Sequence, residues 1–211
     1  MLTKYNNPYY KYLPLHIAIL IPIPGRFVFG LTLVIEELLL VLAGTLANSL
    51  INQLKLKELK TVILMMILIS TTILFRQILV ATYTEIALSL GFLIYLQPIS
   101  LFIMQLIYKD IDQPLLSRLK TNVLQALGFS FNALLFFIFR DIAGFGTFTF
   151  FSKNHMISEK VLFSRDQVGI FTFFASLPGV LVLSAALLLL NLYFHEKIKM
   201  IKRVERQNDL H

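Results

Sequence analysis

The chain contains no cysteine and no tryptophan. Without thiols there is no disulfide, no thiolate metal site and no lipid anchor on cysteine. Without tryptophan, any interfacial aromatic belt falls to 19 Phe and 8 Tyr. Charge is scarce too, at 15% of 211 residues, where about 25% is usual for a soluble domain. Hydrophobic residues make up 57% against roughly 45–50%, and mean hydropathy is +0.75. A soluble chain of 24.2 kDa could not hide that much apolar surface. An ordinary soluble enzyme, a disordered regulator and a secreted disulfide scaffold are excluded. The net charge of +7 fits cytoplasmic Lys and Arg of a membrane protein better than nucleic-acid binding.

Uncharged runs carry the architecture. Residues 38–54, 61–75, 86–108, 121–139 and 167–194 hold no Asp, Glu, Lys or Arg. Most are near the ~20 residues a helix needs to cross a bilayer. Six membrane segments are predicted, near 9–24, 27–52, 61–81, 86–107, 121–141 and 168–194. The first is punctuated by Pro14, Pro22 and Pro24, and the fourth by Gly91 and Pro98. Proline removes a helix hydrogen bond, and non-helical backbone at membrane depth must be buried or line a site. Two interrupted segments, each opening a group of three, fit two inverted three-helix repeats; two merely kinked helices fit as well. The predicted fold is therefore an all-α polytopic membrane protein of one domain over 1–211. Repeat one covers about 9–81, repeat two about 86–194, and 195–211 form a basic tail.

The short connections set the orientation. Lys55, Lys57 and Lys60 follow the second segment, and Lys109, Arg118 and Lys120 follow the fourth. The tail adds Lys197, Lys199, Lys202, Arg203 and Arg206. All three lie on one side of a six-span chain, which predicts cytoplasmic termini in a plasma (inner) membrane. The connection 142–167 then lies outside, with Lys153, Lys160 and Arg165 offset by Glu159 and Asp166. Lys4 and Lys11 precede an apolar stretch without a small-residue cleavage site, so a removable signal peptide is not expected.

Glu36 and Glu37 stand about ten residues into the second segment. Ionisable groups there mark cation or proton paths. The competing reading starts the helix near Leu31 and lets the pair reach interfacial water. Neighbours on a helix point about 100° apart, so the two do not readily share one partner. Arg76 can pair with Glu36, Glu37 or Glu85, or snorkel to the interface. Asn48, Asn122, Asn132 and Asn191 suit hydrogen bonds between helices. Soluble-enzyme motifs are missing. Gly144-Phe145-Gly146 lacks the third glycine of a dinucleotide fingerprint, and His16, His155, His195 and His211 have no metal-ligand spacing. The residues alone leave transport and electron transfer both open.

Several short patterns, in order, resemble the membrane subunits of the Rnf and Nqr electron-transport complexes, nearest to the D subunit of Nqr and the E subunit of Rnf. A family Leu-Gly-x-Cys-Pro run falls where Leu13-Pro14-Leu15-His16-Ile17 stands. A second family run, Leu-Gly-Ile-x-x-Pro-Leu-Ile-x-x-Asn-Cys, resembles the stretch from Leu90-Gly91 through Pro98 to Leu101. Asp-Gly-Phe-Ser is similar to Leu127-Gly128-Phe129-Ser130, and Arg-Glu-Ile-x-Gly-x-Gly-Thr to the run from Arg140 to Thr147. Leu177-Pro178-Gly179 resembles a late Leu-Pro-Pro-Gly. The resemblance spans roughly 6–206.

It implies inverted repeats, a homologous partner subunit and a shared [2Fe–2S] cluster held by two cysteines from each. It also implies electron transfer coupled to sodium or proton translocation. Here the cluster's cysteines are absent: an ungapped placement puts His16 at the first and Leu101 at the second. Histidine can ligate iron and leucine cannot. The expectation is a subunit whose cluster site is lost or altered, with no cofactor of its own and other membrane subunits as partners. The rival is a small transporter, or a substrate-binding transport component, on the same scaffold; a plain membrane anchor is a third reading.

Overall fold

In the computed structural model of the chain, residues 8–54, 56, 58–108, 113–152, 156–163 and 171–208 are described. Lys4, Lys55, Lys57, Lys109, Lys153, His155, Arg165, Asp166 and His211, used above, lie outside them. Seven helices and one hairpin follow in order: α1 Pro8–Leu20, α2 Phe27–Gln53, α3 Lys60–Thr82, α4 Thr84–Leu90, α5 Leu101–Tyr108, α6 Leu115–Phe145, β1 Thr147–Phe151, β2 Ile157–Val161 and α7 Leu177–Asn208. Short 3₁₀ turns cover Leu93–Leu96 and Phe171–Ala175.

Among the described residues four helices are long and apolar enough to cross a bilayer: α2, α3, α6 and the Leu177–Lys197 part of α7. Their chemistry is that of a membrane protein. α2 and α3 keep to the predicted bounds because uninterrupted apolar runs with no strong breaker propagate as helix. α6 runs past both predicted ends. α7 begins at Leu177, after the 3₁₀ turn Phe171–Ala175 and later than the predicted 168, and then runs on past 194. Polar residues that end a membrane segment need not end a helix. α7 carries the basic tail as helix as far as Asn208.

The two segments predicted to be irregular are the short ones. α1 runs through Pro14 and stops at Leu20. Its 13 residues span about 20 Å, short of the ~30 Å hydrocarbon core. The fourth segment is in pieces. α4 ends at Gly91, whose φ of 53° is one that L side chains rarely adopt. The 3₁₀ turn and Pro98 follow, and α5 restarts at Leu101. Ser100 caps that restart, its Oγ accepting the Phe102 N–H at 3.3 Å.

α2 is the central helix. It packs on α3, α5, α6 and β1, and the apolar faces of α3 and α7 look outward, as lipid-facing helices do. Gly30 and Gly44 let α6 and α5 approach closely: a Cβ at either would run into Phe137 or Ile107. The four asparagines singled out in the sequence bond across helices. Asn48 donates to the Ile107 carbonyl, Asn122 to Thr45, and Asn191 to Asn132.

The antiparallel hairpin, with Thr147 opposite Val161 and Phe151 opposite Ile157, was not foreseen within the 142–167 connection. It covers the start of α2, where Phe148 stacks on Phe27 at 4.8 Å. The Gly-x-Gly that leads into it has a structural role. A Cβ on Gly144 would press into the backbone of Ala175, and Gly146 ends α6 with a left-handed φ of 68°.

Candidate functional site

α1 and α5 pack on one another, and their contact brings His16 to Ser100. His16 Nδ1 and Ser100 Oγ share a hydrogen bond at 2.7 Å. The imidazole is wholly buried and stacks on Phe102 at 4.8 Å, with Phe129 tilted against it at 4.0 Å. Its other nitrogen, Nε2, lies 3.7 Å from Glu37 Oε1. That separation exceeds a hydrogen bond, and among the described residues neither Nε2 nor either Glu37 oxygen has a hydrogen-bond partner. Ser130 on α6 stands beside Glu37, also outside hydrogen-bond geometry.

Both carboxyls are buried, Glu36 at 1% exposure and Glu37 at 0%. This corrects the interfacial reading of the pair. The helix begins at Phe27 rather than near Leu31, so the carboxyls lie inside the bundle, not at its edge. The 100° step between neighbours sends them to different partners. Glu36 turns to α3, where Oε1 accepts from Thr72 Oγ1 at 3.1 Å. Glu37 turns toward α1 and α6. Close by, Gln97 donates to the Leu33 carbonyl at 3.3 Å and leaves its own oxygen unpaired. An imidazole nitrogen and a carboxyl oxygen this near, both short of a partner, can pass a proton or close on a small hydrated cation after a slight shift.

The two residues placed at the family's cysteine positions do not meet. His16 faces inward, whereas Leu101 is 56% exposed on the surface of α5. Ser100, one residue earlier, is what His16 touches. An iron–sulfur cluster does not fit these residues. The chain has no thiolate, His16 Nδ1 is engaged by Ser100, and a leucine has no lone pair to offer.

Arg76 makes no ion pair with Glu36, Glu37 or Glu85 among the described residues. Its Nε is buried without a partner.

A second polar network, unforeseen in the sequence, ties the hairpin to the bundle. Arg26, the residue before α2, offers no side-chain cap to that helix. Asp141 of α6 takes its place. Asp141 Oδ2 accepts the Phe27 N–H at 3.0 Å, the Thr149 N–H at 2.8 Å and the Thr149 hydroxyl at 2.7 Å. Oδ1 accepts from the Thr147 hydroxyl at 2.8 Å. A carboxylate at a helix N-terminus satisfies orphan donors and complements the dipole, here from another element. Arg26 Nη1 lies 3.8 Å from Asp141 and 2.6 Å from Glu159 on β2. The available signal was Thr147-Phe148-Thr149, whose alternating threonines fall on one face of a strand.

No known family model matches the chain, and no characterised protein matches it significantly in sequence.

Proposed function

We propose that the chain is an ion-path subunit of a membrane complex like Rnf or Nqr, crossing the plasma membrane six times as two inverted three-helix repeats, with its iron–sulfur position lost. The observation that carries this reading is the meeting of the two interrupted segments at His16 and Ser100, directly beside the buried Glu37. Titratable groups inside a membrane bundle, where broken segments converge, are how ion and proton paths are built.

The packing supports the inverted repeat. The first segments meet as α1 on α5, and the second as α2 on α6. α2 packs on α3 as α6 does on α7, and α2 on α5 as α6 does on α1. α3 lies against α4 as α7 lies against α1. Residue pairs follow the same rule: Glu37 faces Ser130, and Asn122 donates to Thr45 at 3.0 Å. Glu37 and Asn122 are as far apart in sequence as Thr45 and Ser130, and as His16 and Leu101. In this reading both termini are cytoplasmic and the hairpin lies outside. A homologous subunit completes the assembly.

The second reading, a small transporter, is favoured by an open cleft at the hairpin end, where Arg26, Arg140, Glu85 and Glu159 line one cavity. Cross-linking the chain in its native membrane and identifying its partners separates the two. Flavin-bearing redox partners and a homologous subunit are expected. A nucleotide-hydrolysing partner would instead select the transporter.

A further inference from the structure

The cleft at the hairpin end encloses about 470 Å³ between the turn before α2, α4, the end of α6 and β2. That volume lies in the range of small-molecule sites, about 300–1,000 Å³. Its charged lining is unevenly engaged. Arg26 is neutralised by Glu159 and receives Thr147 and Asp141 as further neighbours. Glu85 is exposed at the rim and accepts the Ile157 N–H at 3.1 Å.

Arg140 differs from both. It is only 7% exposed, yet no carboxylate lies within ion-pair distance among the described residues. Among the described residues one of its five N–H donors reaches an acceptor, Nη1 bonding the Ile23 carbonyl at 2.5 Å. Nε is buried and unpartnered. The Arg140 stem and Nε pass over Gly25, where any Cβ would strike Nε, Cγ and Cδ, so the glycine leaves the side chain room. A buried guanidinium with a single neutral acceptor is costly unless an anion joins it.

We propose that this cleft binds a small oxyanion, a carboxylate or a phosphate group, with Arg140 as its cationic floor and Ser89 as a neighbouring hydroxyl on the lining. A guanidinium matches such anions with paired N–H bonds. The inference holds under either functional reading above, because it uses none of the residues of the His16–Glu37 cluster.

The test uses the full chain in phosphatidylcholine nanodiscs. Equilibrium dialysis with labelled inorganic phosphate and labelled succinate measures soluble anions. Nanodiscs doped with phosphatidylglycerol, read by native mass spectrometry, measure a lipid headgroup. Saturable binding of at least one probe is expected, weakened roughly tenfold or more by Arg140→Gln, the worth of a charge-assisted hydrogen bond. Glu159→Gln releases Arg26 from its partner and is expected to tighten the same binding, a gain that misfolding cannot imitate. Binding of phosphatidylglycerol alone, dependent on Arg140, assigns the oxyanion to a lipid headgroup and supports the site. Absence of saturable binding for all three probes overturns it, as does binding that survives Arg140→Gln or fails to respond to Glu159→Gln.

Discussion

His16 and Ser100, on the two interrupted segments of the bundle, are joined by a 2.7 Å hydrogen bond across 84 residues of sequence. The serine has two tasks at once. Its hydroxyl caps the restart of α5 at Phe102 and fixes the ring that faces Glu37. Ser100→Ala therefore strips a cap and leaves a buried ring nitrogen unpaired, a loss of about 1–3 kcal/mol. His16→Leu together with Ser100→Ala removes both partners and is expected to cost less than the two single changes summed. Unfolding in mixed micelles, followed by circular dichroism, checks this. Strict additivity would mean that the bond contributes nothing to stability.

Glu36 and Glu37 face different neighbours, so their substitutions should separate. Glu37→Gln is expected to reduce cation-coupled activity of the assembled complex strongly. Glu36→Gln, which keeps an acceptor for Thr72, should affect it less, and neither should prevent assembly. Flux measured in proteoliposomes beside subunit yield distinguishes the cases. Equal flux in wild type and Glu37→Gln would remove this carboxyl from the ion path.

Asp141 receives four donors from two other elements, α2 and β1. Asp141→Asn turns an amide N–H toward some of them and leaves Arg26 less compensated. A loss of roughly 2–4 kcal/mol is expected, beginning at the hairpin. Limited proteolysis should cut near Met156 in the variant well before it cuts the wild type. Identical digestion of the two would show that the hairpin holds without this anchor.

The thiol-free chain allows a clean topology test. Cysteines placed at Glu58 and Met156, both exposed, report the two ends of the bundle. An impermeant maleimide should label position 156 in intact cells and position 58 only after permeabilisation. The reverse pattern would invert the orientation derived from Lys and Arg.

The apolar segments were legible in the residues themselves. A run without charge long enough for the hydrocarbon core is a local, one-dimensional property, and α2 and α3 lie where such runs predict them. The breaks were legible too, because Gly91 and Pro98 act on their own backbone whatever surrounds them. Glu36 and Glu37 stood out as charges in an apolar span, but their surroundings could not be read. Burial depends on where α2 begins and on what α1, α3 and α6 bring to each face. The hairpin was hidden for a related reason. Its pairing and its anchor, Asp141, rest on contacts between residues distant along the chain, and Asp141 looked like one more charge ending a membrane run. Composition and spacing thus determined which stretches belong in a membrane and where they break. Only the tertiary structure decided that His16 meets Ser100 instead of Leu101, because one residue's shift on a helix turns a side chain by about 100°.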